Sequence, residues 1–87
     1  MGNPIKDEKF DLDIEKKWIG TPKERAGFML FVDGEYKDFR TVTKEDNWKC
    51  TFKNLPKYKV DFKEGRKKIN YVVKEIEQQG EIGRAHV

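Results

Sequence analysis

Two ionisable residues stand where the alternation of the chain asks for apolar ones. In "FDLDIEKKW" (10–18), Phe10, Leu12, Ile14, Lys16 and Trp18 fall on one face of an extended strand, and Asp11, Asp13, Glu15 and Lys17 on the other. In "INYVVKEIE" (69–77), Glu75 shares a face with Ile69, Tyr71 and Val73. An unpaired charge on such a face costs several kcal/mol. Burial therefore favours a neutral amine and a neutral acid. A neutral amine can attack a carbonyl. A protonated carboxyl can polarise a carbonyl and relay protons as a leaving group departs. Two plainer arrangements compete: a buried Lys–Glu ion pair, and a lysine that snorkels to the surface along its stem.

No other constellation competes with this pair. Cys50 is the single cysteine, so the chain has no internal disulfide and no cysteine-based metal site. A catalytic thiol wants a nearby histidine, and the one histidine is His86, near the C-terminus. Cys50 reads as a small buried hydrophobe. There is no Gly-rich phosphate loop, no His or Cys metal spacing and no Ser/His/Asp set. No cofactor and no metal are expected. An enzyme using Lys16 and Glu75 on an external carbonyl is disfavoured, because both should be buried in a core rather than lining a cleft.

The elements that must position the pair are strands. Eighty-seven residues make one domain, able to bury roughly 60–65% of its unfolded surface. Charged residues are 40% of the chain and apolar ones 36%, a composition close to disorder. Two Trp, three Tyr and six Phe, mostly in alternating runs, argue for a packed core instead. The net charge of +3 is interspersed, and the one dense basic cluster is "GRKK" at 65–68. No apolar stretch approaches the roughly 20 residues of a membrane span, and no secretory signal is visible.

Residues 1–9 read as a polar linker. "IGTPKER" is a loop marked by Gly20 and Pro22. "AGFMLFVDGEYKDF" reads as a hairpin about a type I′ turn at Asp33-Gly34, with Phe28, Leu30 and Val32 inward and a return strand at about 35–42. "TKEDN" (43–47) is a turn or helical half-turn. In "NWKCTF" (47–52), Trp48, Cys50 and Phe52 share one face of a strand that Pro56 brings to an end. "LPKYKVDFKEGRK" reads as a loop with a few apolar anchors. Five short strands with turns about every ten residues mean an all-β sandwich or barrel. The expected core is Ile14, Trp18, Phe28, Leu30, Val32, Trp48, Cys50, Phe52, Leu55, Ile69, Tyr71 and Val73.

The "KKW" at 16–18, the strand ending in "DG" at 33–34, "NW" followed by "TFKNLPKY" (51–58), and "INYVVKE" (69–75) occur in an order that resembles the Cna B-type repeat, the prealbumin-like stalk domain of Gram-positive surface adhesins. The resemblance runs from about residue 11 to 77. It implies a reversed immunoglobulin-like β-sandwich, with the domain over 10–80. It further implies an extracellular, cell-wall-anchored spacer repeat of an adhesin, without turnover. Its partners would be neighbouring repeats of the parent chain, with a host extracellular-matrix ligand bound through another domain. Many members of the family carry an intramolecular isopeptide bond from a first-strand lysine to a last-strand Asn or Asp, assisted by a glutamate. By position the lysine is Lys16 and the glutamate Glu75. No acceptor matches: residues 76–87 contain neither Asn nor Asp, Asn70 alternates to the opposite face, and Asn54 lies at a strand-end corner.

"EIGRAHV" (81–87) lacks the alternation of a last strand and equals one reading frame of a common short-read sequencing adapter, so a non-native tail is expected there. The sandwich would then lack its last strand. An open edge and uncovered core would make the chain marginally stable or prone to self-association through that edge. The alternative function is a small single-stranded nucleic-acid-binding β-domain, with Trp18, Tyr36, Phe39 and Tyr58 as stacking platforms. The interspersed acidic residues speak against nucleic acid, and neither it nor a membrane is an expected partner.

Overall fold

The computed structural model describes residues 8–77. The segment 1–7 of the expected linker and the whole of the expected tail at 81–87, His86 included, lie outside the described residues. Seven strands and one 3-10 turn follow in order: β1 (Lys9–Glu15), β2 (Arg25–Val32), β3 (Glu35–Thr43), the turn (Lys44–Asp46), β4 (Lys49–Pro56), β5 (Tyr58–Asp61), β6 (Gly65–Lys68) and β7 (Tyr71–Glu77). β1 pairs with β4, β3-β2-β7 form a second antiparallel sheet, and β5-β6 form a separate hairpin. The fold is an all-β prealbumin-like sandwich.

Period-two burial explains how the layers meet. On β2, Ala26, Phe28 and Leu30 are buried, and their cross-strand partners on β7 and β3 include Val73, Glu75 and Val42. From the opposing sheet Phe52 of β4 enters the same core, with Leu12, Ile14, Cys50 and Leu55 packed against it. The apolar area removed from water between the two sheets is the main stabilising term, at about 25 cal/mol per Å². Asp33 and Gly34 hold φ of 49° and 88°, as the two central residues of a type I′ turn require. Gly27 is needed for a different reason: a Cβ there would lie 2.6 Å from Cζ of Phe39, whose ring covers the glycine on the outer face.

Several strand boundaries differ from the alternation pattern. β1 ends at Glu15, so Lys16 and Trp18 lie past it, although the Lys16 backbone N–H still donates to the Trp48 carbonyl at 2.8 Å. Trp48 precedes β4 with a left-handed φ of 59°, so it meets the core from a turn and not from a strand face. Pairing reaches Pro56 itself, opposite Lys9, because a proline at the last rung loses no ladder donor. Asn54 sits in a bulge at φ 56°, with its N–H held by Asp11. The segment expected to be a loop at 55–67 instead holds most of the β5–β6 hairpin. Among the described residues, seven strands therefore replace the expected five. Ile69, expected in the core, lies half-buried in the link between β6 and β7, outside the buried cluster. Ala26, Val42 and Leu12 belong to the core and were not expected there.

Candidate functional site

Lys16 and Glu75 come from opposite layers and meet. The Lys16 Nζ is 2.8 Å from Glu75 Oε2, with the lysine side chain 10% exposed and the glutamate 1%. Each is placed by its strand. Glu75 pairs across β7–β2 with Phe28, so it points inward with the core. Lys16 is the first residue past β1, and its backbone tie to Trp48 keeps its side chain on the inward side. The contact is an ion-pair approach and not an aligned hydrogen bond, since Oε2 has no hydrogen-bond partner among the described residues.

Trp18 completes the site. The Lys16 ammonium lies 4.5 Å from the centroid of its ring. The ring meets Trp48 edge to face at a centroid distance of 5.3 Å. Its indole Nε1 is buried without a hydrogen-bond partner among the described residues. Alternation placed Trp18 and Lys16 on one face, but the contact with Trp48 needed the turn at 47–48, which carries no local signal for it.

The pair lines an open cleft of about 790 Å³. Leu12, Ile14, Phe28, Tyr71 and Val73 supply its apolar wall. This corrects the expectation that both groups would lie away from any cleft. β1, which contributes Leu12 to Glu15 to the cleft, has β4 on one side and, among the described residues, no strand on the other. The site can do two things chemically. It can remain a buried ion pair. If a carbonyl entered the cleft beside Nζ, an amine and a carboxyl able to relay its proton would be in place for acyl transfer to nitrogen.

The other residues singled out are dispersed. Burial pushes the Cys50 thiol up, and it packs against the core, as a small hydrophobe does. Of the four aromatic residues proposed as stacking platforms, Trp18 lines the cleft, Tyr58 lies under the Arg66 guanidinium at 4.1 Å, Tyr36 meets Phe31, and Phe39 covers Gly27. They do not form one platform.

The sequence matches the Cna protein B-type domain over residues 12–83. The chain belongs to the Cna protein B-type domain family. It is also similar to a "Collagen adhesin" of Staphylococcus aureus, 40% identical over 86 aligned residues that cover 86% of this chain and 7% of that protein. This B-type domain therefore spans a small fraction of its relative's length. No solved structure matches it.

Proposed function

We propose that this B-type domain is a spacer repeat of a bacterial surface adhesin, without turnover. We also propose that Lys16 and Glu75 are its bond-forming pair. The similarity to a collagen adhesin supports the first part. The 2.8 Å approach of Lys16 and Glu75 at the wall of an open cleft, beside the edge of β1 that no strand among the described residues pairs, carries the second. A strand adding to that edge would carry an inward Asn or Asp past Nζ. The neutral amine attacks the side-chain carbonyl and forms the new C–N bond. Glu75 takes the proton from the amine and returns it to the departing group. The bond to the carboxamide nitrogen breaks and ammonia leaves, or water leaves from a protonated aspartic acid. No external reactant is consumed. The acceptor is not among residues 76–87, which contain neither Asn nor Asp. A cross-link between layers resists extension, which suits a spacer under load between a wall-anchored end and a ligand-binding head.

The test is to sequence the source locus through the codon for Gly80 and, where the frame runs into a further alternating strand, to express the domain with that strand. A denatured mass lower by one ammonia, or one water, is the expected result. It should be restored in full by Lys16→Arg and by Glu75→Ala. An unmodified mass in a domain carrying an inward Asn or Asp would end the bond-forming role.

A further inference from the structure

The β5–β6 hairpin holds the chain's excess positive charge in one place. Residues 57–68 contain six Lys or Arg against Asp61 and Glu64, a net +4, while the whole chain is +3. The remaining residues therefore sum to −1. Charges that look interspersed along the sequence are thus concentrated in space. The hairpin also carries two of the most exposed apolar side chains described: Phe62, fully exposed at the turn, and Val60, 81% exposed one rung below it. Neither touches the core.

This hairpin is built, not loose. Asp61 Oδ2 accepts the backbone N–H groups of Lys63 and Glu64 and fixes the turn. Arg66 stacks on Tyr58. Lys59 Nζ reaches Asp33 at 2.7 Å, and Asp33 Oδ1 accepts from the Asn70 backbone. The Ile69 N–H donates to the Lys57 carbonyl at the base. These bonds hold an aromatic tip away from the sandwich, with lysines behind it.

We propose that the hairpin tip is a docking surface for an anionic lipid bilayer, with Phe62 and Val60 entering the interface and Lys63, Lys67 and Lys68 facing the headgroups. Charge complementarity alone would suit any polyanion. The exposed phenyl and isopropyl groups favour the bilayer. A sulfated polysaccharide offers them no apolar region, and a single-stranded nucleic acid can stack a base on Phe62 but gives the Val60 isopropyl no partner, whereas the headgroup–acyl boundary accommodates both. The proposal is independent of the Lys16–Glu75 chemistry, which lies in the cleft.

The test uses the 87-residue chain and co-sedimentation with vesicles of phosphatidylcholine, with or without roughly one-third phosphatidylserine. Binding to the anionic vesicles only, weakening as salt rises, is expected. Phe62→Ser should lower the partition coefficient about tenfold. Lys67→Gln with Lys68→Gln should weaken binding and flatten its salt dependence. All these side chains are exposed, so the near-ultraviolet signal of the Trp18–Trp48 pair should be unchanged in every variant. Absence of sedimentation with anionic vesicles overturns the proposal. Equal binding by wild type and Phe62→Ser also overturns it, and retention on immobilised heparin by both would then assign the hairpin to a soluble polyanion. Co-sedimentation that needs a bound acidic protein would assign it to that protein.

Discussion

Two lysine–carboxylate pairs in this molecule have nearly the same length and opposite character. Lys16 and Glu75 approach to 2.8 Å between the layers, and Lys59 and Asp33 to 2.7 Å at the surface. The first pair has lost most of its water, while Lys59 remains 46% exposed and Asp33 33%. Distance therefore does not rank them. Solvent does: it screens the outer pair and competes for its hydrogen bonds, while the inner pair sits beside the Trp18 ring with little water to compete. An exposed pair organises local backbone, as Asp33 does for Asn70. A buried pair imposes a cost unless both members remain.

The largest effect should follow from breaking the inner pair. Glu75→Leu takes the carboxylate away from a buried lysine, and Lys16→Met takes the ammonium away from a buried carboxylate. Each should lower unfolding free energy by about 3–5 kcal/mol, read by urea denaturation. Indifference to either change would mean that the lysine escapes to solvent. The double variant Lys16→Met/Glu75→Leu should recover most of that loss, because two apolar groups of similar volume replace two desolvated charges. A double variant as weak as the singles would show that the pair matters through packing shape and not through charge.

The smallest effect belongs to the outer pair. The Lys59 hydrogen bond, then that of the Asn70 backbone, hold the Asp33 carboxyl below its ordinary 3.8, and the same bond raises Lys59 above its ordinary 10.5. Asp33 is depressed on folding, so its contribution is present above 3.8 and is lost as pH falls through the folded value. Lys59 is raised, so its contribution is present below 10.5 and is lost as pH rises through its folded value. Lys59→Met should therefore destabilise slightly and evenly between roughly pH 5 and pH 9, and the difference from wild type should shrink in acid. Added salt should shrink it too. A deficit that persists in acid and in high salt would assign Lys59's role to its aliphatic stem.

Much of the inner site was legible beforehand. Period two put Lys16 with Ile14 and Trp18, and Glu75 with Tyr71 and Val73. Faces alone do not say which faces oppose, and the pairing of Lys16 with Glu75 came from the family resemblance. The β5–β6 hairpin was missed even though Tyr58, Val60 and Phe62 alternate and Gly65 closes a turn. Apolar alternation ordinarily signals burial, and here Val60 and Phe62 face solvent, so the pattern lacked its usual cause. Ile69 erred in the other direction: it continues the apolar face of β7 in sequence, but the strand begins two residues later, at Tyr71.

Sequence by itself determined the all-β class, the type I′ turn at Asp33-Gly34 and the inward faces of Lys16 and Glu75. Each rests on local rules: side-chain alternation along a strand, and the positive φ that an Asp-Gly turn tolerates. Tertiary structure decided the 2.8 Å meeting of amine and carboxyl, the cleft beside β1 and the gathering of positive charge at one hairpin. Those depend on which strands stack across the core and which edges stay unpaired. That choice is made by the total apolar area buried between layers, a quantity that no short stretch of chain contains.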